Sequence, residues 1–263
     1  MCIRDRPVTP LDLAANPTGE AITLDARGLS YRALNEQLDA AVTAGATAAR
    51  LVNVYGQRYI GTNLQRRVRI DIEGVPGNDL GAFMDGPEIH VHGDAQDGCG
   101  NTMNSGLLAI HGSAGDILGH SMRGGAVFVR DDVGYRVAIH MKAYEDVRPT
   151  VVIGGTSQHF LGEYMAGGVL LVLGRRLPPG AVHPARYVGT GMHGGVIYLR
   201  GRPNQAFLGK EVGLAPITDA DRALLGDLLG QYNALFGLHV SADDEYTKLI
   251  PQSKRPYGQI YAY

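Results

Sequence analysis

Methionine recurs at positions 84, 103, 122, 141, 165 and 192, so successive separations run 19, 19, 19, 24 and 27. A period of that length constrains the fold more than any composition value, because so short a unit cannot bury its own apolar residues and must stack on its neighbours. Three residues before each methionine stands Gly81, Gly100, Gly119, Ala138, Gly162 or Gly189. Two or three residues after it come glycines in five of the six units, as in Gly124-Gly125, Gly167-Gly168 and Gly194-Gly195. Five and seven residues past the methionine lie the aliphatic pairs Ile89/Val91, Leu108/Ile110, Val127/Val129, Leu170/Val172 and Ile197/Leu199, an alternation that faces one way along a strand. Each strand then stops at Gly93, Gly112, Gly174 or Gly201, with Asp131 the exception.

The two irregular separations locate insertions. Val151, Ile153 and Gly155 restore the strand five residues late, which puts extra chain in 142–150, and eight more residues fall in 175–187, a stretch containing Pro178, Pro179 and Pro184. Loops absorb such changes without disturbing the stack. Upstream, Ile70, Ile72 and Gly74 extend the pattern by one unit and Val54 to Gly56 open a weaker one. Helical solenoids need units of about 33 to 47 residues, so the expectation is all-β: a right-handed single-stranded β-helix of about seven coils. Met84, Met103, Met122, Met141, Met165 and Met192 would then form a core ladder, for which an unbranched, adaptable side chain is suited. The glycines would take corners that need positive φ. A chain with 37 glycines, no tryptophan and 44% hydrophobic residues agrees with a repeat rather than with disorder.

The ends differ in kind. Ser30 precedes a segment with Leu34, Leu38 and Val42 four apart, and Thr218 precedes 219–235 with Leu224, Leu225, Leu228 and Leu229, so a capped helix is expected at each end, covering the edge strands. The division expected is an extension at 1–21, a strand and helix cap at 22–50, the repeat at 51–217, and a helix with an extended tail at 218–263.

With 24 Lys plus Arg against 26 Asp plus Glu, nothing electrostatic recommends nucleic acid or an anionic membrane. Cys2 and Cys99 are the two cysteines, the Asn16-Pro17-Thr18 triplet is disqualified as a sequon by its proline, and no apolar run reaches membrane-spanning length. The first residues lack the apolar stretch of a signal peptide. A soluble protein of the reducing cytoplasm is expected.

These residues carry a family resemblance. The repeat resembles the GXGXG β-helix domain at the C-terminal end of the glutamate synthase large subunit, which some organisms carry as a separate polypeptide, and it is related to a repeat found in formylmethanofuran dehydrogenase. Gly93-Asp94-Ala95-Gln96-Asp97 with Gly100, Gln57-Arg58-Tyr59-Ile60-Gly61 and the tail Ser253-Lys254-Arg255-Pro256-Tyr257-Gly258 look more like the glutamate synthase branch. The resemblance covers roughly 22–263. It implies a non-catalytic subunit linking a class II glutamine amidotransferase subunit to an FMN-binding glutamate synthase-like subunit that also carries an iron–sulfur cluster, with glutamate or N-methylglutamate as product. The alternatives are a component of a formylmethanofuran dehydrogenase-type complex and a stand-alone hydrolase.

Candidate chemistry on the chain itself is sparse. Gly189 to Gly194 fits GxGxxG, but a strand rather than a helix follows, so dinucleotide binding is not expected. Gly119-His120-Ser121-Met122-Arg123-Gly124 is the nearest approach to a serine nucleophile, yet Ser121 sits inside a repeat and not on a strand-to-helix elbow. His90, His92 and His111 should emerge together on one outer face, without a carboxylate or Cys in register to complete a metal site. Cys99 is expected to be a small buried residue, without the companions that a reactive thiol or an iron–sulfur cluster needs. No catalytic, cofactor-binding or metal-ligating residue is therefore expected. The insertions are better candidates, as a partner interface: Lys142, Tyr144, Glu145 and Arg148 in the first, Arg175, Arg176, His183, Arg186 and Tyr187 in the second, with Lys254, Arg255 and Tyr257 in the tail.

Overall fold

A computed structural model describes residues 21–178 and 180–252. Nine strands pair in parallel in chain order: β1 (Ala21–Asp25), β2 (Ala48–Tyr55), β3 (Arg69–Val75), β4 (Asp85–Val91), β5 (Ser105–Ile110), β6 (Ala126–Val129), β7 (Thr150–Ile153), β8 (Ala166–Val172) and β9 (Gly194–Arg200). The chain is a β-solenoid of about six turns. The register aligns Ile70, Ile89, Leu108, Val127, Val151, Leu170 and Ile197 in one column and Ile72, Val91, Ile110, Val129, Ile153, Val172 and Leu199 in another. Both columns point inward and are buried, as are all six repeat methionines, at 0% exposure. Burying each such side chain contributes about 1.5–3 kcal/mol.

The opposite wall of each coil is not a β-strand. In seven successive rungs three alternate residues have φ between 52 and 71°, for example Asp79, Gly81 and Phe83, then Gly98, Gly100 and Thr102, and later Phe160, Gly162 and Tyr164. The middle residue donates its N–H to the preceding coil, as from Gly81 to the Ile60 carbonyl at 2.8 Å and from Gly100 to Leu80 at 2.8 Å. The flanking residues donate to the following coil, as from Asp79 to Asp97 at 2.9 Å and from Thr102 to His120 at 2.7 Å. Left-handed geometry costs a residue with a Cβ about 1–2 kcal/mol, which these hydrogen bonds between coils offset. Glycine holds most middle positions because a Cβ would enter the core: at Gly81 it would sit 3.0 Å from the Met84 sulfur. Ala138 shows that a methyl can be fitted there, at φ 57° and 0% exposure.

Glycines at the start of the strands have a different role. Gly125, Gly168 and Gly195 have φ of 72, 90 and 81°, but Gly124, Gly167 and Gly194 do not lie in the left-handed region. Those three are required by contact. A Cβ at Gly124 would lie 2.1 Å from the Asn104 carbonyl oxygen, one at Gly167 2.3 Å from the Ala143 nitrogen, and one at Gly194 2.3 Å from the Ala166 carbonyl oxygen.

Both helices are present, and their placements differ. Helix α1 (Tyr31–Thr43), capped by Ser30, buries Leu34, Leu38 and Val42 in the inner core beside the first strands. Helix α2 (Asp219–Phe236), with a Thr218–Asp221 capping box and a left-handed Gly237 at its end, lies on the outer face of the sheet instead of on its edge. Leu225, Leu228, Leu229 and Tyr232 pack there against Leu107, Phe128, Val152, Leu171 and Tyr198, a second core. The edge of β9 is covered by β11 (Tyr246–Pro251), laid antiparallel on it, and β10 (Val212–Ala215) pairs antiparallel with β11 beyond. No helix among the described residues is long and apolar enough to cross a membrane.

Candidate functional site

One grouping has the order of a nucleophile–base–orienter relay. Ser121 Oγ lies 3.4 Å from His120 Nε2, His120 Nδ1 is 3.1 Å from Asn101 Oδ1, and Asn101 donates to Asp79 Oδ1 at 3.1 Å. Burial, with nearby His140 adding to it, lowers the pKa of His120. The oxyanion donors are missing, however. The N–H groups of His120, Ser121, Met122 and Arg123 bond the carbonyls of Ile117, Ile139, Gly119 and Met103, so none is left to receive a developing negative charge. The relay ties neighbouring coils together.

The same accounting applies to Gly189 to Gly194. The Gly189 N–H bonds Leu161, that of Gly194 bonds Met165, and the Gly191 N–H bonds the Glu211 carboxylate at 3.0 Å. A phosphate would meet a carboxylate at that point, and strand β9 follows where a Rossmann fingerprint opens a helix. Cys99 occupies the inner column of Leu80, Leu118 and Val137, fully buried, and burial first, with Asp79 and Asp97 adding to it, pushes its thiol up to about 12. A thiolate is inaccessible there.

His90, His92 and His111 do meet on the outer face, with ring centroids 6.0 Å apart for His90–His111 and 5.1 Å for His92–His111. Their partners differ: His90 Nε2 is 2.6 Å from Glu88 and His92 Nε2 is 2.9 Å from Asp71, while His111 stands edge-on to Phe236 at the end of α2. No grouping of His, Cys, Asp and Glu that could hold a metal exists among the described residues. Burial, reinforced by His92, His90 and Arg130, lowers the His111 pKa to about 4.

The two insertions diverge. In the first, Tyr144 and Val147 exchange backbone hydrogen bonds of 3.1 and 2.9 Å around Glu145, and this small hairpin leaves Tyr144 71% exposed, with Lys142 and Glu145 exposed beside it and Arg148 half-buried. In the second, Arg175 and Arg176 are engaged within the chain. Asp131, buried where other coils have glycine, is 2.8 Å from Arg130, 2.7 Å from Arg176 and 3.8 Å from Arg175. Arg175 also donates to the Tyr232 hydroxyl at 3.0 Å, and that hydroxyl donates to the Arg130 carbonyl at 2.8 Å, which locks α2 to the coil. His183 is buried as well, and burial lowers its pKa to about 4. Lys254, Arg255 and Tyr257 lie outside the described residues.

Arg186 and Tyr187 end the second insertion on the ladder wall, within a surface that periodicity did not single out. Tyr135 packs against His159 at 5.6 Å, His140 stacks on Tyr164 at 5.2 Å, and Phe160 stacks on Tyr187 at 4.8 Å. Arg136 lies over the Phe160 ring and Arg186 over Phe207. The signal available in the sequence was positional: these residues stand two or three places from the middle residue of each rung, where side chains point out.

The chain is 45% identical over 255 residues to an uncharacterized protein of Methanocaldococcus jannaschii, covering 92% of this chain and 97% of that one. It is 30% identical over 208 residues to ferredoxin-dependent glutamate synthase 2 of Synechocystis and 29% identical over 207 residues to the ferredoxin-dependent glutamate synthase of Pyropia yezoensis. Each of those alignments takes in 73% of this chain but only 12% of the enzyme. The GXGXG motif family matches residues 30–248, and the chain belongs to that family, related to the glutamate synthase large subunit.

Proposed function

We propose that the chain is a non-catalytic structural subunit of a glutamate synthase-like complex, holding a class II glutamine amidotransferase subunit beside an FMN-binding synthase subunit that carries the iron–sulfur cluster. The observation that carries this reading is that most of the chain aligns with 12% of each of two ferredoxin-dependent glutamate synthases, a portion of a far larger enzyme. One feature of the chain supports it. The N–H groups around Ser121 are taken up by backbone carbonyls and that of Gly191 by the Glu211 carboxylate. A stacked solenoid is stiff, and stiffness is what a spacer between two active sites needs when ammonia made at one must reach the other. FMN and the cluster belong, in this proposal, to the partner.

The test is reconstitution of the three subunits. With this chain present, glutamine-dependent synthesis should run coupled to glutamine hydrolysis, and without it hydrolysis should continue while coupling falls. Full coupling in its absence removes the structural role, and turnover of glutamine by the chain alone replaces it with an enzyme. Tyr144→Ala combined with Arg148→Glu in the first insertion should weaken assembly more than it changes the chain's own melting temperature.

A further inference from the structure

One outward column of the ladder wall has an ordered charge sequence. The carbonyls of Asp97, Asp116, Tyr135, His159 and Arg186 each accept an N–H from the coil below, so these five residues stand on successive rungs. Rungs are about 4.8 Å apart, which puts Asp97 and Arg186 roughly 19 Å from each other with Tyr135 midway. The column carries the carboxylates of Asp97 and Asp116 below its centre and the Arg186 guanidinium at its top, while the His159 ring, whose Nδ1 accepts the Arg186 N–H at 3.3 Å, keeps Nε2 as a donor. We propose that this wall is a self-complementary surface on which two copies of the chain pair face to face and antiparallel.

A two-fold axis lying in the interface at the height of Tyr135, perpendicular to the stack, sets Asp97 against Arg186 of the partner subunit and Asp116 against His159 of the partner subunit. Tyr135, 44% exposed, meets its own copy. The adjacent column is complementary in size, because the same operation brings Tyr187, 53% exposed, over Gly98 and Phe160 over Ile117. Arg136 meets its own copy, but each is already held by Glu163 at 3.5 Å and by the Phe160 ring at 5.4 Å. A parallel pairing would instead set Asp97, Asp116 and Arg186 each against its own copy, like charge on like charge.

The charged groups are held before contact. Asp97 Oδ1 accepts the Asp116 N–H at 2.8 Å, Asp116 Oδ1 accepts the Tyr135 N–H at 2.8 Å, and Arg186 rests over the Phe207 ring at 5.0 Å. Groups so fixed lose little side-chain entropy on association. A patch about five rungs tall falls below the roughly 800 Å² per partner of a standard interface, so the dimer is weak and salt-sensitive.

Sedimentation equilibrium of the purified chain at about 0.05 M and about 0.5 M salt reads this directly. The expected result is a dimer at low salt that dissociates at high salt. Arg186→Asp, which sets Asp against Asp97, should weaken it about tenfold or more, with an unchanged circular dichroism melt as the control for folding. Asp97→Arg should do the same, and an equimolar mixture of the two variants should recover dimers, since both 97–186 pairs of the heterodimer are of opposite sign. A wild-type chain that stays monomeric at low salt overturns the proposal, and so does a dimer indifferent to Arg186→Asp.

Discussion

The two walls of a coil arise from the same 19-residue unit and obey different rules. On the β wall, side chains alternate between the inner core and the outer core beneath α2, so both faces are covered and every strand position from β6 to β8 is at least half-buried. On the ladder wall, Gly81, Gly100 and Gly119 face inward, while the flanking residues point away from the core and range from the exposed Phe83 to the buried Thr102. One wall is specified by what packs on it and the other by backbone angles that packing alone would never choose. Shape comes from the first and surface from the second.

The harshest way to break this contrast is at the seam between the walls. Gly124→Val and Gly167→Val each drive a branched side chain into backbone that a Cβ would already meet at 2.1 and 2.3 Å, so a loss of more than about 4 kcal/mol is expected in chemical denaturation. An unchanged midpoint for both would mean that the coils are not stacked as described. Tyr232→Phe tests the cover of the β wall. It strands Arg175 Nε and the Arg130 carbonyl, and should cost about 1–3 kcal/mol. Hydrogen exchange should quicken in α2 before it does in β5 to β8, and uniform quickening would show that the two cores unfold as one.

A smaller effect is expected on the ladder itself. Gly119→Ala introduces a Cβ at φ 68° and 3.2 Å from Val151, where the next rung already tolerates Ala138, so about 1–2 kcal/mol should be lost. A cost as large as that of Gly124→Val would mean that the ladder's cavity, and not its backbone angle, demands glycine. The mildest test is pH. The folded-state pKa of His111 lies at about 4, below its unfolded value near 6.5, so its contribution is fully present above pH 6.5 and is lost as pH falls from there toward 4. His92, His90 and Arg130 oppose the added proton, Asp71 favours it, and Phe236 of α2 packs on the ring. Thermal melts between pH 7 and 4.5 should therefore decline less steeply for His111→Gln than for the parent chain.

How legible each wall was follows from the same contrast. Met84 to Met192 and the pairs from Ile89/Val91 to Ile197/Leu199 repeat one environment many times, so periodicity exposed the β wall, the core and both insertions. Phe128, Val152, Leu171 and Tyr198 stand between those inward pairs, and their apolarity was a readable sign that the outer face is covered too; the amphipathic stretch at 219–235 was assigned to an end because an edge also wants covering. The left-handed positions of Ile117, Phe160 and Tyr164 carry no local signal, since branched and aromatic residues disfavour that conformation and only the hydrogen bonds between coils hold them in it. Asp131 was visible as the one departure from glycine at its position. Arg130 is its neighbour in the chain, but Arg176 could not be paired with it before the second insertion was seen to fold back.

The antiparallel strand laid on β9 has a consequence for polymerisation. A parallel solenoid ends in a template: its last strand offers donors and acceptors in the spacing that another molecule's first strand could extend, coil after coil, into a filament. By reversing direction at β11, and closing with β10, only four residues long, the chain replaces that growth face with one of opposite polarity. Extension of the parallel stack past β9 is thereby blocked, and a chain truncated before Tyr246 should lose solubility through end-to-end growth rather than through unfolding.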